Sequence, residues 1–252
     1  MTNKESDFHD HPLVMVNQQR PYTCDGCKTE GIGLRYRCER CNYDLHHQCM
    51  FSSPKLKFQG NQYRFLEKPL PGPNCTRANY CIDCRNCDAC GKNVKGFVYH
   101  CSDTGWDLHP RCAKLDCKIS IGDVTFWLEK QGPSTCAWCN KRLLKGAKKK
   151  IPGWSYVSNY DDYNFHVYCV MEMAMQSSSS ASSSAITPVM EETKLTDLRV
   201  LIKSKKNGAN SKNKWLEILK IFLRTVFSIL LGDPTAILAS TLAHLVTEGF
   251  LH

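Results

Sequence analysis

Residues 24–49 read CDGCKTEGIGLRYRCERCNYDLHHQC, and five of them are cysteines. Their order is Cys24-x2-Cys27-x10-Cys38-x2-Cys41-x4-His46-x2-Cys49. A C-x2-C pair turns tightly and aims two sulfurs at one ion. Histidine has no role in a disulfide framework but is an ordinary zinc ligand. The chemistry these residues point to is therefore zinc binding. The composition agrees: all 16 cysteines lie between Cys24 and Cys169, where apolar runs are short and broken. Domains with so little core need staples. The N-terminus, MTNKESDFHDHPLVMV, has no apolar stretch of signal-peptide length. The chain is expected to be intracellular, cytoplasmic and/or nuclear, where thiols stay reduced and metal is the staple.

The pattern repeats. Residues 87–112 spell Cys87-x2-Cys90-x10-Cys101-x2-Thr104-x4-His109-x2-Cys112, the same spacing with one cysteine changed to threonine. A third copy keeps Cys136-x2-Cys139 and His166-x2-Cys169 but lacks the middle pair. Internal repeats of this kind define the architecture. Because the third copy has only its outer pairs, the outer pairs must make one site. That gives three Cys3His sets: Cys24, Cys27, His46 and Cys49; Cys87, Cys90, His109 and Cys112; Cys136, Cys139, His166 and Cys169.

The middle pair of the first copy, Cys38 and Cys41, needs two more ligands. His9 and His11, in FHDHPL, are the candidates for an interleaved second site. The alternative is a single histidine with water or His47 completing the shell. The second copy has lost this site at Thr104, yet Cys75, Cys81, Cys84, Cys101 and Cys117 are left over. Counted back from the first cysteine, Cys75 falls close to the position of His11. A rebuilt site from Cys101, Cys117 and two of Cys75, Cys81 and Cys84 would raise the expected count from four zinc ions to five; the alternative is free thiols. Tyr36, Tyr43, Tyr99, Trp106 and Trp127 are expected to pack beside the zinc sites.

Beyond the cysteines, QSSSSASSSA (176–185) reads as a linker. In the following KWLEILKIFLRTVFSILLGDP, Glu217, Lys220, Arg224 and Ser228 form one polar stripe on an otherwise apolar helix. Gly232, Asp233 and Pro234 suit a helix stop followed by a restart. This predicts a helical hairpin over 214–250. Such a wide apolar face needs cover, and three partners are expected: a second copy, an anionic membrane surface or another protein.

HDHPL at 9–13, YRCERCNYDLHHQC at 36–49, FVYHCSDTGWDLHPRCA at 97–113, GDVTFWL at 122–128 and CAWCNKR with GWSY and FHVYC make the chain resemble the divergent C1 domain (DC1) proteins of plants, the cysteine/histidine-rich C1 family. The resemblance covers roughly residues 9–172. It implies small zinc-stabilised α+β modules, each built of short β-hairpins with a short helix and an interleaved pair of zincs. The ordinary C1 domain closes its second site with a late cysteine, which the first copy lacks; His9 is the candidate replacement. The implied organisation is a zinc module at 9–52, a second at 56–117 with a degenerate second site, a partial third at 118–173, a Ser-rich and basic disordered linker at 174–213, and the apolar helical hairpin at 214–250. The loop KTEGIGLRYR between Cys27 and Cys38 is short and charged, so diacylglycerol binding is not expected. PHD and RING fingers need a C-x2-C soon after Cys49, and none occurs before Cys75.

Catalytic zinc keeps an open coordination position, whereas the three Cys3His sets are closed. No Ser-His-Asp order, phosphate loop or HExxH occurs. The reading is a non-enzymatic, signalling-type zinc adaptor whose modules form a platform and whose tail associates with a partner. Chelation is expected to unfold 9–172 and leave the tail helical. Three alternatives rank below it: a peripheral membrane protein anchored by the tail, nucleic-acid binding through the basic run 141–150 near Trp138 and Trp154, and a thiol-disulfide oxidoreductase. The formal charge of +9 suits the first two alternatives.

Overall fold

Each copy of the cysteine pattern builds one antiparallel four-stranded sheet. A computed structural model describes residues 3–72, 85–144, 153–159, 163–179 and 209–231. The first sheet is β1 (Asn3–Ser6), β2 (His9–Thr23), β3 (Glu30–Cys38) and β4 (Tyr43–Leu45). The second is β5 (Lys55–Phe58), β6 (Asn61–Leu66), β7 (Val98–His100) and β8 (Asp107–Leu108). The third is β9 (Lys118–Ile121), β10 (Val124–Glu129), β11 (Ser155–Ser158) and β12 (Asn164–His166). Helix α1 (His47–Met50) and a 3-10 turn at Cys112–Lys114 follow the first two sheets, and α2 (Val167–Ser179) follows the third.

The strand registers align the copies independently of the cysteines. Met15 pairs with Tyr36, Phe65 with Tyr99 and Leu128 with Tyr156. Two residues before each, on the same face of the sheet, stand Leu13, Tyr63 and Phe126, all buried. Each module thus has one large side chain at the centre of its sheet.

The modules meet through a repeated junction. The Phe97 amide donates to the Gly26 carbonyl at 2.9 Å, and the Trp154 amide donates to the Ala89 carbonyl at 2.9 Å. Phe97 and Trp154 hold equivalent places, two residues before Tyr99 and Tyr156. Gly26 and Ala89 are both the third residue of a C-x2-C turn. Aromatic rings fill each junction: Phe8, Phe65 and Phe97 in the first (centroids 4.7–5.6 Å) and Phe58, Trp106 and Trp154 in the second (5.7 and 6.1 Å). Stacking lets modules too small to bury a core alone share one. Of the aromatics expected beside zinc sites, Tyr36 and Tyr99 are buried, but Trp127 is 38 % exposed. Period-two alternation turns Trp127 outward while Phe126 and Leu128 turn in.

Helix α3 (Ala209–Leu231) lies against all of this. It buries Ile218, Leu219, Phe222, Leu223, Val226 and Leu230 at helical spacing. The Phe222 ring stacks on Phe126 at 4.0 Å and meets Tyr156 and Phe165. Glu217 and Arg224 remain exposed, and Lys220 pairs with Glu217 at 2.5 Å, as the polar stripe predicts. Ser228, expected on that stripe, is buried. Along these residues the apolar face is covered by the chain's own modules, a partner that amphipathicity alone cannot point to. Two boundaries are corrected. Helix α2 runs to Ser179, past the expected linker start at 174, and its Val170, Met171 and Met173 pack into the shared core. Helix α3 starts at Ala209 rather than 214. The second arm of the expected hairpin and most of the linker lie outside the described residues. No helix among the described residues is long and apolar enough to cross a membrane.

Candidate metal centres

Each Cys3His set is built by the same two pieces of backbone. The first is the C-x2-C turn. Its first cysteine accepts at the carbonyl from the residue after the second: Lys28, Gly91 and Asn140 donate to Cys24, Cys87 and Cys136 at 2.7–2.8 Å. That residue has φ of 60°, 70° and 53° respectively, so the turn demands a left-handed residue. Gly91 is legible as such; Lys28 is not. The second piece is the end of the last strand, which delivers the histidine and then turns into a short helix carrying the last cysteine. The two are tied by an amide-to-sulfur bond found three times: His46 to Cys24, His109 to Cys87 and His166 to Cys136, at 3.4–3.5 Å.

The ligand atoms converge. In all four predicted sets they lie within 4.8 Å of one another: Cys24, Cys27, His46 and Cys49; Cys87, Cys90, His109 and Cys112; Cys136, Cys139, His166 and Cys169; and His9, His11, Cys38 and Cys41. Each Cys3His histidine turns Nδ1 to the thiols, 3.3 Å from Cys27, 3.4 Å from Cys90 and 3.5 Å from Cys139. A tetrahedral zinc with ordinary Zn–S and Zn–N bonds has an S···N edge of about 3.6 Å. The remaining nitrogen, Nε2, faces the Asn93 carbonyl in His109 and the Arg142 carbonyl in His166, at 3.2 and 3.3 Å. That bond fixes the tautomer with Nδ1 free to ligate. In the fourth set His11 Nδ1 lies 3.1 Å from the exposed Cys41 sulfur, and His9 stacks on Tyr43 at 4.4 Å. The donors fit zinc, and the described residues form four such centres.

Without a cation the buried thiols compete for charge. Burial pushes Cys24 up to about 12 and, with hydrogen bonds to its neighbours, drives Cys49 well above the ordinary thiol range. Burial also opposes ionisation of Cys27, but hydrogen bonds from Cys24 and Cys49 outweigh it and hold Cys27 low. In the second set, hydrogen bonds from Cys112 and Cys87 lower Cys90, while the same sharing raises Cys112. In the third, a hydrogen bond from Cys169 brings Cys136 to about 3 and Cys169 is driven up. One thiolate per set is stabilised by its neighbours' protons, the arrangement a dication replaces.

Among the described residues the interleaved site occurs in the first module alone. The registers place Gln59, Asn61, Cys101 and Thr104 where the first module has His9, His11, Cys38 and Cys41. Gln59 Nε2 donates to the Leu128 carbonyl at 3.0 Å, Asn61 Nδ2 to the Gln59 carbonyl at 3.1 Å, and Thr104 Oγ1 accepts from the Trp106 amide at 3.3 Å. Two local hydrogen bonds and one that reaches the third module, from Gln59, occupy these side chains in place of an ion. In the third module the places of His11 and Cys38 fall to Val124 and Ser158, both buried. The counting that sets Cys75 opposite His11 is corrected: the strand register sets Asn61 there, because a long connection separates β6 from Cys87. Cys75, Cys81 and Cys84 lie outside the described residues. Among the described residues neither buried Cys101 nor exposed Cys117 joins a metal group.

Residues 7–50, which hold both ligand sets of the first module, match the family model described as the C1 domain. This module is a C1 domain, and C1-like modules with the same Cys3His geometry follow it in tandem. A curated relative is Probable nucleoredoxin 1 of Arabidopsis thaliana, 36% identical over 42 residues. Those residues are 17% of this chain and 7% of that protein. No solved structure matches the chain.

Proposed function

We propose that the protein is a non-enzymatic adaptor whose tandem C1-type modules form a rigid, zinc-built platform for binding other proteins. The observation that carries this reading is the closure of the three Cys3His sets. Each has four protein ligands, with Cys139 alone less than fully buried. A closed tetrahedral set leaves no coordination position for a substrate, and cysteines committed to metal offer no exposed dithiol. Association with another protein or a second copy, expected of 214–250, is retained for the part of that segment that α3 does not commit to the platform.

The similarity to a protein named as a nucleoredoxin, together with the exposed Cys41, supports a thiol-disulfide reading as the rival. One experiment separates them. Three sets of three thiols and one of two leave five of the 16 cysteines outside any set. Native protein purified without chelator is expected to carry four zincs by mass spectrometry and to titrate no more than five thiols. A rapidly reacting C-x2-C pair in the zinc-loaded protein would overturn the platform reading.

A further inference from the structure

The residue just before the last zinc ligand differs between the copies: Gln48 in HHQC, Arg111 in HPRC and Tyr168 in HVYC. The first two reach the same object. Gln48 Nε2 donates to the Ile229 carbonyl at 3.3 Å, and Arg111 Nη1 donates to the Leu230 carbonyl. These are last-turn carbonyls of α3, groups a helix cannot satisfy within itself. Arg111 is only 1 % exposed, and its Nη2 donates at 2.6 Å to Thr29 Oγ1, which lies 3.1 Å from Cys27 Sγ. Among the described residues its partners are a carbonyl and a hydroxyl, not a carboxylate.

A buried guanidinium needs compensating charge. Two sources lie close to Arg111. The C-terminal end of a helix carries a partial negative charge of about half an electron. The first Cys3His set, reached through Thr29 and Cys27, carries one net negative charge when three thiolates surround a dication. Arg111 thus joins the turn of the second zinc site, the sulfur of the first, and the end of α3.

We propose that the first two modules form a binding site for the end of an amphipathic helix, that Gln48 and Arg111 are its recognition residues, and that α3 of the same chain is its occupant. Residues 180–208 could extend on the order of 90 Å, so the connection does not dictate the pose; the contacts do. Gln48 and Arg111 each sit on the turn that carries the last ligand of their own zinc site. The seat is therefore formed only while those sites are closed, and by linkage a seated helix tightens zinc at both. This rests on the reading of the Cys3His sets as zinc sites, so zinc is counted separately in the test.

The test is hydrogen exchange of residues 217–230 in the full-length, zinc-loaded chain. Gln48→Ala and Arg111→Gln are the variants, with zinc counted by native mass spectrometry on the same samples. Expected are protection in the parent and exchange faster by about tenfold or more in at least one variant that still carries four zincs, since a hydrogen bond from a charged group is the larger loss. Gln48 is half-buried and its replacement keeps the fold even if Arg111→Gln does not. Unchanged protection in Gln48→Ala and in any zinc-loaded Arg111→Gln overturns the proposal. Protection that falls on dilution of the parent would seat a second copy's helix in the groove and overturn occupancy within one chain. A parent lacking zinc would instead refute the zinc reading beneath it.

Discussion

Gly31 shows what a single residue decides at these centres. It lies on β3 with its backbone against the His46 ring, and a Cβ there would collide with Nε2 and Cδ2 of that ring. The ring is a ligand held between β3 and the C-x2-C turn, so it has nowhere to go but out of register with Cys24, Cys27 and Cys49. Gly31→Ala is expected to weaken the first Cys3His site by roughly ten- to a hundredfold, the range for disturbed ligand orientation. Competition with a zinc indicator measures this, and an affinity unchanged within a factor of two would show that the ring tolerates the shift. The grouping of these sixteen side chains into four sets was legible in the sequence, because C-x2-C and H-x2-C are local turns whose chemistry is written in their spacing. His9 and His11 were legible by elimination, as Cys38 and Cys41 had no other donors nearby. Gly31, Thr29, Gln48 and Arg111 were not, because each acts across space on a partner far away in the chain.

At the scale of elements one hydrogen bond and one aromatic plug recur at both junctions between modules. The donor strand must approach a C-x2-C turn closely. A Cβ at Gly96 would strike the Gly26 carbonyl oxygen, and one at Gly26 would meet the Phe97 ring at 2.6 Å. Gly96→Ala therefore forces the first junction apart without touching a ligand. Its expected cost is about 1–3 kcal/mol, as for overpacking elsewhere, read as a lower denaturation midpoint with the zinc count still four. Loss of a zinc instead would mean that the junction and the sites are one unit. Trp138 stands where Gly26 and Ala89 stand, so the third module has no small-residue seat for a further module and ends the stack, as terminal repeats do. The sheets followed from the repeat together with its resemblance to a known module, since alternation such as Val124-Thr125-Phe126-Trp127-Leu128 is a strand pattern. The stacking did not, because the residues that make it are a glycine, an alanine and aromatics with no spacing of their own.

For the whole molecule, metal, stack and helix form a hierarchy that chelation should reveal. The interleaved site is the outermost: Cys41 is exposed, whereas eleven of the twelve residues of the Cys3His sets are buried, Cys139 being the exception. Ligands must be deprotonated to bind, so acid and chelator both attack the accessible site first. The remaining three sites lie in modules that share cores and a helix. The second and third modules and α3 bury one continuous cluster, and Phe97 of the second module completes the core of the first. Losing one of these ions removes a wall from its neighbour. Native mass spectrometry during graded chelation is expected to pass from four zincs to three with little change in circular dichroism, then to none with few molecules carrying two or one. The sequence alone suggests that the tail stays helical throughout. Yet the face of α3 that buries Phe222 and Leu223 is covered by the modules, and an amphipathic helix draws most of its stability from such packing. Helical signal should therefore fall in the second step, not survive it. A ladder with two- and one-zinc species equally populated, or a helix that outlasts the last ion, would mean that the modules are independent beads and that the packing of α3 contributes little to either.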